Sequence, residues 1–169
     1  TMLESNIKQL AGADRANRVD AYTILARALK TSNSLPDRIA LRAKMGLFMQ
    51  FIQRDITYKT VEGTADSSLA KHALHLLITF LHYPAIASAL TNEFGVFIID
   101  HCVRSFDDDS VPKDTVRQLG MVVSSQDFSP KVMTAERVGR LVAALHTIED
   151  RVTGKSIIQG RLLNYQRLI

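Results

Sequence analysis

The sequence predicts an all-α chain, a HEAT/armadillo-like array of helical pairs of the kind found in a fragment of an α-solenoid. Three observations predict it. Apolar residues recur at intervals of three and four over long stretches, the signature of helices with one buried stripe. Period-two alternation is missing, and the nearest run, GVFII (Gly95–Ile99), sits inside a helical pattern. Candidate helix starts near Val19, Leu69, Thr115 and Ile157 form one series, and those near Arg38, Glu93 and Ala135 a second. Their spacings, roughly 42 to 55 residues, overlap the repeat of about 40 to 47 that HEAT and armadillo pairs show.

Taken in order, Thr1 ahead of Met2 reads as a cloning remnant, so the chain is expected to be part of a much larger protein. Residues 1–169 read as a single all-helical repeat domain, with 1–18 as a peripheral leader. Val19, Tyr22, Leu25, Ala26 and Leu29 then mark the first helical stripe. SLPD (Ser34–Asp37) combines a capping serine, an early proline and an acid three residues after the cap, so a helix should start there. The stripe that follows, Ile39, Leu41, Met45, Phe48, Met49, Ile52 and Ile56, predicts one unbroken helix. GTADSS (Gly63–Ser68) is a loop in which Asp66 can cap the next helix.

From His72 to Asn92 there is no Lys, Arg, Asp or Glu, and that length could span a bilayer. Three histidines, Pro84, Asn92 and the lack of a flanking basic cluster argue instead for a buried helix that breaks at Pro84. DDDSVPKD (Asp107–Asp114) ends one helix and begins another at about Pro112. FSPKVMT (Phe128–Thr134) is a connection whose Thr134 caps a helix running to about Val152. VTGK (Val152–Lys155) is the last break. The closing RLLNYQRLI is an apolar helix without a polar cap, as in an array cut mid-run.

Little here supports catalysis, a metal or a cofactor. His72, His75 and His82 fall within about 80° of one helix stripe. Zinc would need a further ligand at matched spacing, so these histidines are expected to be partly buried or to lie between helices. His101 and Cys102 are adjacent on a helix and point about 100° apart, which excludes a nucleophile–base pair. Asp107, Asp108 and Asp109 read as a cap and solvated loop, since the calcium-loop glycine and terminal glutamate are missing. No glycine-rich phosphate loop or nucleophile elbow occurs. The single cysteine cannot form an internal bridge, which suits a reducing compartment.

Charge is the remaining signal. Residues 1–109 hold 12 basic and 12 acidic residues, whereas residues 110–169 hold 9 basic and 5 acidic, so the whole formal surplus of +4 sits in the last third. On a helix from Thr134, Arg137, Arg140 and Arg151 fall within about 60° of each other, roughly 120° from the stripe of Val138, Leu141, Val142 and Leu145. They read as an outward row, with Ala144 and Thr147 between them. Lys155 and Arg161 follow this row, and Lys131 and Arg117 precede it. Such a row can track a phosphate backbone. Glu136, Glu149 and Asp150 are near enough to neutralise part of it, and no aromatic residue is interleaved for base stacking.

The blocks LPDRIALRAKMGLFMQFIQRDI, LLITFLHYPAIASALTNEFGVFIIDHCVRSF and VPKDTVRQLGMVVSSQDFSPKVMTAERVGRLVAALHTIEDRV resemble the amino-terminal helical-repeat region of the Rap-interacting factor (Rif) family, in its fungal form. The likeness runs from about Val19 to Ile169. It implies a non-catalytic scaffold in the nucleus, on the chromosome at telomeres, with roles in telomere maintenance, replication timing, the cell cycle and DNA repair. Expected partners are the DNA backbone, without sequence preference, other repeats of the same protein, and telomeric or replication proteins. A protein-interaction or self-association module without direct DNA contact is the alternative, a homodimer is among the expected partners, and no membrane is expected. Members recruit a type-one phosphatase, but KVMT (Lys131–Thr134) and KSII (Lys155–Ile158) match only part of a short docking peptide.

Overall fold

The structure is a computed structural model that describes residues 1–31 and 38–148. Among the described residues nine helices make up the regular structure, and the extended pairing is one isolated bridge, Lys59 with Ala65. The all-α architecture of paired helices therefore holds. The chain divides into two compact units, Thr1–Leu90 and Thr91–Ile169.

In the first unit, the segment expected to be a leader is an integral helix, α1 (Met2–Ala11). Thr1 caps it, accepting from the Glu4 backbone N–H at 3.2 Å. Leu10 is fully buried and Asn6 nearly so, because α1 packs along α2. Helix α2 (Arg15–Lys30) begins earlier than its apolar stripe suggests. Asp14 accepts from Asn17 N–H at 3.0 Å, and the polar first turn carries no periodicity to reveal it. Its inner face is Ala21, Tyr22, Leu25, Ala26, Ala28 and Leu29.

The one long helix expected over 38–56 is two: α3 (Arg38–Ala43) and α4 (Met45–Ile56). At Lys44 the backbone N–H bonds back three residues to Leu41 at 2.9 Å, a tighter turn that redirects the chain. Just before this break the Arg42 guanidinium donates to the Ala85 carbonyl and, at 2.8 Å, to Ser88. Ile39, expected on the buried stripe, is 81% exposed. SLPD lies outside the described residues.

After α4 a small hairpin turns through Gly63, whose φ of 80° suits glycine at the left-handed position of a three-residue loop. Asp66 then caps α5 (Ser67–Leu81), accepting from Leu69 N–H at 3.0 Å. It also binds Arg15 of α2, whose hydrogen bonds hold its carboxyl below the usual range. The break at Pro84 is present, with α6 (Pro84–Ala87) beyond it. No helix among the described residues is long and apolar enough to cross a membrane. The core of this unit forms where α5 meets α2 and α4.

The second unit contains α7 (Asn92–Phe106), α8 (Lys113–Ser125) and α9 (Ala135–Thr147). Both α8 and α9 pack on α7. Gly95 of α7 sits where a Cβ would meet Val132 Cγ2 at 3.0 Å, so its small size admits the α8–α9 connection. Gly139 of α9 differs, because a Cβ there meets nothing within 4 Å. Gly139→Ala should stabilise the fold by about 0.5 to 1 kcal/mol through helix propensity and a less free unfolded chain, read as a higher urea midpoint at unchanged slope.

Candidate nucleic-acid interface

Thr134 starts α9 as expected, accepting from Arg137 N–H at 3.2 Å, and Val138, Leu141, Ala144 and Leu145 are its buried residues. The helix ends at Thr147 rather than near Val152, with Ile148 as its cap. Arg151, Lys155 and Arg161, the VTGK break and the helix expected from Ile157 lie outside the described residues.

The outward row is only partly present. Residues 137, 141, 144 and 148 share one helix stripe, and Leu141, Ala144 and Ile148 are buried on it. Arg137 therefore lies at the edge of the core with its side chain 21% exposed, and it reaches Asp100 of α7, Nε to Oδ1 at 3.4 Å. That approach brings the charges together without a directed hydrogen bond, while Nη1 donates to the Val132 carbonyl at 3.3 Å. Ala144 does not lie on the outward flank. Thr147 does lie at the surface, but its hydroxyl is engaged with Asp107 Oδ1 at 3.2 Å and the Ala144 carbonyl at 2.7 Å.

Arg140 points to solvent and pairs with Glu136 at 3.0 Å, one turn back on the same helix. Arg117, on α8, pairs in the same way with Asp114 at 3.1 Å. Lys131 is exposed in the turn before α9, which Ser129 closes by accepting from the backbone N–H groups of Val132 and Met133, both at 2.9 Å. Lys131 thus precedes α9, Arg140 lies exposed in its second turn, Arg117 stands on another helix, and Arg137 is held inward.

Among the described residues, His101 and Cys102 do not form a nucleophile–base pair. Cys102 is fully buried against the Leu119 carbonyl, and burial pushes its thiol well above the ordinary range. His101 stacks on Phe97, and burial lowers its pKa to about 4, so it is neutral at neutral pH. Among the described residues no three of His, Cys, Asp and Glu stand together as a metal would need.

A family model described as Rap1-interacting factor 1 N terminal matches residues 10–169. The chain belongs to that family. The resemblance read from the sequence is thereby shown, and the Rap1-interacting factor family is telomere-associated and chromosomal. No curated protein and no solved structure matches the chain.

The sequence reading missed two groups of side chains in the first unit. Asp55 on α4 is fully buried and accepts from Arg18 Nη1 at 3.0 Å, from Arg54 through two bonds of 2.8 Å, and from the Tyr22 hydroxyl. At the seam of α2 and α5, Lys30 Nζ lies 3.1 Å from His75 Nε2. The available signal was charge counted helix by helix. Helix α2 holds four basic residues and one acid, and α5 holds Lys71, His72 and His75 with no acid, a bias that vanishes in the sum over residues 1–109.

Proposed function

We propose that this chain is a non-catalytic scaffold segment of a telomere-associated chromosomal protein, acting in the nucleus in telomere maintenance, replication timing and DNA repair. It contacts the DNA backbone, without reading bases, through exposed cations near its carboxyl end. The observation that carries the reading is the state of Arg117 and Arg140. Each is about half exposed and, among the described residues, pairs with an acid on its own helix. Exposed pairs of this kind are worth about 0 to 1 kcal/mol and are screened by salt, so a phosphate can take the place of the acid. Lys131 adds a third exposed cation. Arg137 is a tether between α9 and α7 in this reading, not a phosphate ligand.

Reversing Lys131 and Arg140 together to Glu should weaken binding of unrelated duplexes alike. It should also flatten the log–log salt dependence by about 0.9 for each phosphate that is no longer neutralised. A mobility-shift titration at several salt concentrations reads both effects, and unchanged binding would remove this surface from the function.

A second reading, self-association or protein interaction without DNA, is favoured by the fact that Arg117, Arg137 and Arg140 each face an acid already. Light scattering separates the two. A monomer that binds duplex supports the first, and a stable dimer indifferent to DNA supports the second.

A further inference from the structure

The seam between α2 and α5 carries a second set of cations, remote in sequence from the basic end. Two of the α2 bases are committed, Arg15 to Asp66 and Arg18 to Asp55. Lys30 instead meets His75, and both are exposed. A lysine ammonium can only donate, so the 3.1 Å contact uses the lone pair on His75 Nε2 and requires a neutral imidazole protonated on Nδ1. Two groups that repel once both are protonated are thus held together on a helix pair with a cationic surplus. An anionic oxygen placed between them relieves that repulsion and gains two charge-assisted hydrogen bonds.

We propose that Lys30 and His75 form a phosphate-oxygen site at the α2–α5 seam, filled by a backbone phosphate of nucleic acid, and that filling it takes up one proton. The proposal rests on the DNA reading above and adds a place and a pH dependence to it. On binding, Lys30 turns its N–H from Nε2 to the phosphate oxygen. The freed Nε2 gains a proton from solvent and donates to the same phosphate.

Among the described residues, the charged or titratable groups around His75 are Lys30 from α2 and, on its own helix, His72 and Lys71 one turn back. The charged residues of α4, Arg54 and Asp55, are tied to each other, with Arg18 and Tyr22 also on Asp55, and α6 carries no charge. In the free protein, partial burial of the ring, then Lys30, then His72 hold His75 below the ordinary histidine value. A bound phosphate raises it again. A base whose pKa rises on binding makes binding stronger as pH falls.

The test titrates the 169-residue chain with a short mixed-sequence duplex at pH 8 and at pH 6, at fixed salt. Affinity should rise on acidification by up to about tenfold for each unit by which phosphate raises the pKa of His75. His75→Gln should bind more weakly than the native chain at pH 6 and lose most of that rise, Lys30→Gln should bind more weakly at both pH values, and His82→Gln should keep the native response. All three positions are exposed, and far-UV circular dichroism verifies their folding. A native pH response in His75→Gln, or native affinity in Lys30→Gln, overturns the site while leaving the DNA reading intact. If the native chain binds no duplex, the DNA reading fails, and NMR titration of His75 with inorganic phosphate decides the site. An upward pKa shift that Lys30→Gln lacks supports a phosphate ligand from another source, and no shift overturns the site as well.

Discussion

Asp55→Ala should cost the first unit about 3 to 5 kcal/mol, the range seen when one partner of a buried ion pair is removed. Asp55 is fully buried, and its two carboxylate oxygens take every donor around them: Arg18 from α2, Arg54 from α4 itself, and the Tyr22 hydroxyl from α2. Without the carboxylate, Arg18 keeps its Nε bond to the Gly12 carbonyl at 2.8 Å but no counter-charge on Nη1, with only 12% of its side chain exposed, so it is the stranded charge. Arg54 has an escape, being 32% exposed and resting on the face of Phe51. Tyr22 loses its acceptor in a site where burial and the Asp55 charge both raise its pKa. A buried hydroxyl left unpaired adds about 1 to 3 kcal/mol to the loss.

Urea unfolding followed by circular dichroism measures the change. Arg18→Met should be nearly as harmful as Asp55→Ala, and Arg54→Met much less so. The double variant of Asp55→Leu with Arg18→Met should lose clearly less than the two single changes summed, since the stranded Arg18 charge is gone and Arg54 can turn to solvent. An Asp55→Ala loss below about 1 kcal/mol would show that the cluster is solvated and does not fix the register of the two helices.

The features legible in the sequence are those whose causes lie within a few residues. Asp66 and Thr134 were readable as caps because a capping side chain bonds a backbone N–H three residues ahead. The break at Pro84 was readable because proline lacks the donor a continuing helix requires. The break at Lys44 was not. Its sequence surroundings keep a helical period, and the bonds that Arg42 makes beside it reach residues 85 and 88, more than forty positions away. The same limit applied at the basic end. Helix geometry put Arg137 and Arg140 on one flank, but whether position 137 faces solvent depends on where α7 packs. Asp100 and the buried stripe through Leu141, Ala144 and Ile148 decide that question. Lys30 and His75 are 45 residues apart, so only the fold brings them together. Of that pair, the sequence offered just the shortage of acids on α2 and α5.

Phe48→Ala should cost about 3 to 5 kcal/mol, comparable with loss of Asp55 but through packing rather than charge. Phe48 has no exposed surface, and it lies where α4 meets α5. Its ring packs edge-to-face with Phe80 of α5 at 5.6 Å between centroids and with Phe51 of its own helix at 6.2 Å. Truncation removes the transfer free energy of the ring, both aromatic pairings, and the filling of a space that its rigid neighbours cannot close. Leu47, the adjacent residue, is 38% exposed, and its change to Ala should cost less than about 1 kcal/mol. Phe48→Leu should fall between the two, since it keeps most of the volume and loses the ring geometry. The three variants lie in one helix and differ in propensity by only about a few tenths of a kcal/mol, so their order reports burial where α4 meets α5. Equal losses for Phe48→Ala and Leu47→Ala in urea titrations would mean that α4 does not present this face to α5, and the core of the first unit would have to be redrawn.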